Sequence, residues 1–152
     1  NASKCNYYFD TLKETMTIVQ TALRPGLGAQ SHTTRYEFDS SLNLRKVYFN
    51  DHYSPEYLIY EFADYDDKAN PLYKHPPFTD YDFYYYGIKA LSKNNYGSWT
   101  KYRYYTSTGV SIDANYKYDR KYDSRGLLVQ MHSTNTMDIS DSSTSYYFYN
   151  CK

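Results

Sequence analysis

Tyr116-Lys117-Tyr118-Asp119-Arg120-Lys121-Tyr122-Asp123-Ser124-Arg125-Gly126-Leu127-Leu128-Val129-Gln130-Met131 is the stretch on which the fold is decided. From Tyr116 to Asp123 one face reads Tyr116, Tyr118, Arg120, Tyr122 and the other Lys117, Asp119, Lys121, Asp123. That period of two belongs to a half-buried strand. Asp123-Ser124-Arg125-Gly126 then supplies a turn, with Asp or Ser bonding back to the backbone and Gly taking a positive φ. Leu127, Val129 and Met131 continue an apolar face on the return strand, so the unit is a β-hairpin.

The unit recurs. Tyr105-Thr106-Ser107-Thr108-Gly109-Val110-Ser111-Ile112 aligns without gaps on Tyr122 to Val129. Phe38-Asp39-Ser40-Ser41-Leu42-Asn43-Leu44 is a third copy with Leu42 in the glycine position, which predicts a different turn with Asn43 as its left-handed residue. A fainter copy starts at Phe9-Asp10-Thr11-Leu12. Hairpins in series predict an all-β meander forming a small up-and-down barrel or a strongly curved sheet, and the similar aromatic ends suggest that the terminal strands meet.

Length and composition set the bounds. The 152 residues suit a single β domain over 1–152, with 1–6 as a flexible lead-in. Aromatic residues make up 20% of the chain and 23 of them are Tyr, so a thin core of ring faces with wet hydroxyls is expected. Lys+Arg and Asp+Glu balance at 17 each, and nothing in that balance steers a polyanion, which disfavours nucleic acid. No apolar run is long enough for a transmembrane helix. A transmembrane barrel needs an aliphatic lipid face, whereas here Tyr57, Tyr60, Tyr102 and Tyr104 fall in mid-strand, so the chain reads as a soluble monomer. Beginning at Asn1 without a methionine or leader, it reads as a processed chain.

Along the chain, Thr11 to Leu23 has helical spacing of Leu12, Met16, Val19 and Leu23, but its β-branched residues and the faint hairpin copy favour a strand. Arg24 to Thr33, with Pro25, Gly26 and Gly28, reads as a loop. Tyr57 to Phe62 is a strand, Tyr81 to Ile88 a short or irregular one, and Thr144 to Asn150 the last. Cys5 and Cys151 lie near opposite ends beside aromatic runs; a disulfide between them would contribute about 4 kcal/mol in the chain-entropy model and imply an oxidising compartment, and two unpaired thiols are the alternative.

The serial Tyr-x-Tyr-Asp-Ser-x-Gly-apolar units resemble the YD-type repeats of bacterial surface proteins. Together with Tyr65-Asp66-Asp67-Lys68-Ala69-Asn70-Pro71 and Leu91-Ser92-Lys93-Asn94-Asn95, they resemble a lipoprotein domain family of Bacteroidetes, of unknown function and porin-like fold, over about Thr34 to Asn150. The segment from Tyr73 to Gly87 departs from that pattern, with Tyr and Pro in place of aliphatic residues. The resemblance implies an address, the periplasm or outer-membrane surface with a lipid tether upstream, and no catalytic site.

The residues that could carry chemistry are few. His32, His52, His75 and His132 stand alone, and no nucleophile elbow is present. Asp66 with Asp67, or Asp80 with Asp82, are pairs that a carboxylate-based hydrolase or lyase acting on polysaccharide could use. Asp64, Asp66, Asp67 and Asn70 offer oxygen ligands, but a polar turn explains them better than calcium, so no metal and no cofactor is expected. Trp99 with Tyr84, Tyr85 and Tyr86 could stack on sugar rings, with Asp66, Asp67 and Asn70 bonding hydroxyls; aromatic cross-strand pairing is the plainer explanation. A non-enzymatic surface domain binding a glycan or a surface protein is the reading that follows, with the hydrolase and a purely structural repeat as alternatives.

Overall fold

The computed structural model describes residues 3–24, 28–50, 54–70, 73 and 91–148. Every element in them is a strand: β1 (Ser3–Asp10), β2 (Thr15–Arg24), β3 (Gly28–Phe38), β4 (Leu44–Asn50), β5 (Tyr57–Ala63), β6 (Ser98–Tyr105), β7 (Gly109–Tyr122), β8 (Leu128–Asn135) and β9 (Ser142–Tyr146). Their order in the sheet is their order in the chain, so the all-β serial meander is found. The expected pairing of the two ends is not found among the described residues, where β1 pairs with β2 and β9 with β8. A barrel-closing strand needs an inward apolar face, and every residue of β9, Ser142 to Tyr146, is exposed. The expected segment Tyr81 to Ile88, Tyr84 to Tyr86, Asp80, Asp82, His52, His75 and Cys151 lie outside the described residues.

Two hairpin turns share one hydrogen-bond pattern. The Asp123 amide donates to Leu127 O and the Gly126 amide to Asp123 O, both at 2.9 Å, while Asp123 Oδ1 accepts the Arg125 and Leu127 amides, each at 2.9 Å. At the other copy the Asp39 amide donates to Asn43 O and the Leu42 amide to Asp39 O, and Asp39 Oδ1 accepts the Ser41 and Asn43 amides, again all at 2.9 Å. The turn at Leu42 therefore does not differ, and Asn43 is not its left-handed residue: Leu42 itself takes φ 64°, beside 78° at Gly126. The carboxylate bonds fix the path, and the side chain at the fourth position tolerates it. Asn43, 4% exposed, is held instead by its own amide and side chain on Asp39.

Both turns are followed by the same register shift. Phe38 faces Leu44 while Glu37 faces Lys46, and Tyr122 faces Leu128 while Lys121 faces Gln130, leaving one residue unmatched on the return strand. This bulge turns Leu44 (0% exposed) and Leu128 (6%) inward. The apolar face expected to start at Leu127 thus starts at Leu128. The copy that starts at Tyr105 keeps a glycine, Gly109 at φ 78°, but Thr106 replaces the carboxylate.

The ambiguous stretch is β2 from Thr15 onward, and β2 and β3 reach into the expected loop from its two ends, with Arg24 facing Gly28 and 28–33 in β3. Polar cross-strand bonds sustain that ladder: Thr21 Oγ1 lies 2.9 Å from Ser31 Oγ and His32 Nε2 3.0 Å from Gln20 Oε1.

Contacts gather into two compact units, 1–61 with 102–111 and 62–101 with 112–152. In the first, Met16, Tyr36 and Val47 face one another in a row across β2, β3 and β4, and with Leu44 they are its buried apolar residues among those described. On the opposite strand faces Arg35 lies 4.0 Å over the Tyr48 ring and grips Glu56 through two bonds of 3.1 and 2.6 Å, with Glu37 on its third nitrogen. In the second unit Phe62, Tyr96 and Leu128 are buried. So small an apolar core makes the turns count.

Leu42 is 55% exposed, so its side chain contributes little to offset a left-handed backbone that costs a non-glycine residue about 1–2 kcal/mol. Leu42→Gly is expected to raise unfolding free energy by about 1 kcal/mol after the added unfolded-state entropy is counted. Urea denaturation checks this, and an unchanged or lower midpoint would contradict the shared turn geometry.

Candidate functional site

The two motif loops singled out in the sequence, 64–70 and 91–97, lie against each other in the second unit. Asp66 is their centre. Its backbone amide donates to Asn95 O at 3.0 Å; its Oδ1 accepts the amides of Lys68 (3.0 Å) and Asn95 (3.3 Å), and its Oδ2 accepts the Tyr122 hydroxyl. The Asn95 side chain donates to Tyr122 Oη at 3.2 Å and lies 3.4 Å from Lys68 O. Asn70 closes the far end: its amide reaches Lys93 O and its Nδ2 reaches Ser92 O, both at 2.9 Å. Asn94 Nδ2 bonds Lys68 O at 3.2 Å, where Ala69 and Asn94 form an isolated bridge. Ser92 (1% exposed), Asn95 (6%) and Asn70 (8%) are buried polar groups, and each has a partner. A buried polar group without one would cost more than its bond contributes.

The exit of the clasp depends on two backbone positions. Asp64 takes φ 56°, and its Oδ2 accepts Ser98 Oγ at 2.7 Å. Gly97 passes so close that a Cβ there would stand 2.5 Å from Asp64 O. Its amide bonds Ala63 O at 3.0 Å and its carbonyl accepts the Tyr118 amide at 2.8 Å.

Beside the clasp stand the rings. Tyr96 meets Phe62, Tyr65 and Tyr118 edge to face at 5.1, 6.5 and 5.4 Å, and Arg120 lies over the Tyr96 and Tyr118 rings at 5.5 and 5.1 Å. Trp99 stacks on Tyr116 with centroids 4.9 Å apart and planes at 11°, and its Nε1 donates to Tyr118 Oη at 2.6 Å. Tyr116 donates its hydroxyl to Asp141, and Asn135 Nδ2 reaches the same carboxylate at 3.3 Å.

Of the residues singled out for ligand contact, the structure thus brings Asp66 and Asn70 into one clasp, internal to the fold. Asp67 points out, paired with Lys68 at 3.0 Å, and Lys68 holds its carboxyl below the usual range. Trp99 lies in β6, stacked on Tyr116, and the three tyrosines expected beside it, Tyr84, Tyr85 and Tyr86, are outside the described residues. Ser92, Asn95 and Tyr122, which complete the clasp, went unread as partners: the second motif was visible, but nothing local links Tyr122 to a carboxylate 56 residues away. Cys5 is half-buried in β1 opposite Gln20. Among the described residues no group of three or more His, Cys, Asp or Glu could hold a metal, and no helix is long and apolar enough to cross a membrane.

No family model matches the chain, and comparison with curated proteins and with solved structures gives no match. The two motifs take their meaning from the structure alone. Their physical content is now specific: the motifs are the two halves of one hydrogen-bonded clasp.

Two outcomes follow. Asp66→Ala leaves the Lys68 and Asn95 amides without their acceptor and is expected to cost about 2–3 kcal/mol by denaturant unfolding, the range for a charged hydrogen-bonding group; a loss below 0.5 kcal/mol, roughly that of a neutral surface change, would contradict the clasp. The second concerns alkali. The bond to Asp141, with burial, pushes the Tyr116 hydroxyl up to about 12; burial and then Asp66 push Tyr122 upward, and burial raises Tyr96 and Tyr118. Each phenol is raised above its unfolded value of about 10, so its contribution is full below that pH and is lost as pH rises through the folded value. Stability measured by urea at pH 8, 10 and 11 is expected to fall over the last step, in parallel with tyrosinate absorbance, and a flat profile would contradict the assignment.

Proposed function

We propose that the chain is a non-enzymatic β module of the periplasm or outer-membrane surface that binds a glycan beside Trp99 and Tyr116. One observation carries this reading. A half-buried indole lies parallel to a tyrosine whose hydroxyl is fixed on Asp141, with the Asn135 amide on the same carboxylate. A sugar ring presents apolar C–H patches that pack on an aromatic face, and hydroxyls that need carboxylate and amide partners at its edge. A few placed polar groups beside an apolar surface are what fix the orientation of such a ligand. The address rests on the likeness of the repeat and of the two motifs to lipoprotein domains.

Among the described residues, which do not include the Asp80 and Asp82 pair, the carboxylates favour binding over the alternative of a hydrolase or lyase. A general acid must hold its proton near neutral pH, with its pKa raised. Glu56 is instead held below the usual carboxylate range, first by its bond to Arg35. Glu61 is engaged by Lys46 at 3.7 Å and by the Tyr102 hydroxyl at 3.0 Å, and Asp66 by the clasp.

Screening the folded chain on a glycan array, followed by titration of indole fluorescence, tests the proposal. Hits are expected that Trp99→Ala abolishes and that Tyr116→Phe weakens while circular dichroism stays unchanged. Binding that survives Trp99→Ala would put the site elsewhere, and silence across bacterial, plant and host glycans would favour a structural segment.

A further inference from the structure

We infer that β1 is a self-association edge, and that two copies of the chain pair there strand to strand about a two-fold axis at Tyr7. The inference is independent of the glycan reading. β1 stands at the end of the strand order, and among the described residues it pairs with β2 alone. An unpaired edge presents a row of amides and carbonyls that template another strand unless it is blunted. The other end is blunted: β9 is five residues long and carries Ser, Thr and one Tyr. β1 is eight residues long and exposes Tyr7 (60%), Tyr8 (58%) and Phe9 (70%), so large rings emerge on both of its faces. At the equivalent position in the Phe38 copy of the repeat, Tyr36 is 3% exposed because β3 has a strand on each side.

The sequence of β1 selects its own second copy as occupant. Laid antiparallel on itself with Tyr7 opposite Tyr7, the strand sets Lys4 opposite Asp10 twice, once on each side of the axis. On the face with those ion pairs, Tyr8 meets Asn6; on the other, Phe9 meets Cys5 and the two Tyr7 rings meet each other. Opposite charges directly across an antiparallel pair stabilise it and like charges destabilise it. A register moved by two residues, with Asn6 facing Asn6 or Tyr8 facing Tyr8, loses both ion pairs. The contact is isologous and closes at two copies, which removes the open edge rather than propagating it.

Sedimentation velocity over a concentration series tests association in the native chain. A monomer–dimer equilibrium is expected, and Lys4→Glu, which sets Glu against Asp10 at both ends, is expected to weaken it about tenfold while leaving circular dichroism unchanged. A native chain that stays monomeric, or a dimer indifferent to Lys4→Glu, would overturn the inference. The register is read by cross-linking. In an antiparallel pair the Cα atoms of directly opposite residues lie about 4.5–5.5 Å apart, within disulfide range. Tyr7→Cys in a Cys5→Ser, Cys151→Ser background is therefore expected to oxidise to a covalent dimer, and Asn6→Cys or Tyr8→Cys in the same background far more slowly. Equal rates at the three positions would overturn the register. Should the serine background fail to fold, the sedimentation pair decides alone.

Discussion

An aspartate side chain accepting the backbone amide two residues ahead is the interaction on which this fold depends. Asp10 takes the Leu12 amide, Asp39 that of Ser41, Asp66 that of Lys68, Asp123 that of Arg125 and Asp138 that of Ser140. A meander has a reversal after every strand, and each reversal leaves amides without ladder partners. A carboxylate supplies two oxygens and several lone pairs at one point, so it can serve two amides and still reach a third group. Asp39 and Asp123 do so with the same four bonds. Asp66 does more, since its amide partners belong to two different loops and its second oxygen takes the Tyr122 hydroxyl. Loops 64–70 and 91–97 are joined through that carboxylate, beside the buried Tyr96 ring that packs on Phe62, Tyr65 and Tyr118.

The abundance of tyrosine has the same cause. Among the described residues few aliphatic side chains are buried, so area comes from rings, and a ring with a hydroxyl can pack on its face and bond at its tip. Tyr96 packs against three rings, Tyr122 reaches Asp66, Tyr116 reaches Asp141 and Tyr102 reaches Glu61. Rings and carboxylates are therefore one system, and phenol ionisation is a threat to the fold where a Leu-rich sheet would have none. The same chemistry leaves the Trp99 and Tyr116 pair with a carboxylate at its rim.

The sequence displayed the hairpins clearly because alternation is local: Tyr116 to Asp123 shows its two faces without reference to any other residue. It displayed β2 less clearly, since Leu12, Met16, Val19 and Leu23 also fit a helix, and it concealed the β2–β3 extension because Gln20, Thr21, Ser31 and His32 have no hydrophobic period to read. Leu42 was misread for an instructive reason. Residue identity suggested that the left-handed position had moved to Asn43, whereas the four bonds to Asp39 hold the position fixed and impose the conformation on Leu42. The bulges that select Leu44 and Leu128 were hidden for the same reason, being consequences of turn geometry. The two motif loops stood out as unusual, but that they complete one another is a fact of tertiary structure. Asp66 and Asn70 drew notice as polar residues in a loop; their bonds to Asn95, Tyr122 and Ser92 span 22 to 56 residues, beyond any local signal.

Native-state hydrogen exchange tests the central claim most directly, because it reads the clasp amide by amide. The amides of Asp66, Lys68, Asn70 and Asn95, all in loops, are expected to exchange as slowly as the Tyr118 amide in β7, opening only with the second unit as a whole. Exchange of those four at the rate of free loops, with Tyr118 still protected, would mean that the carboxylate does not order the loops, and the account would fail.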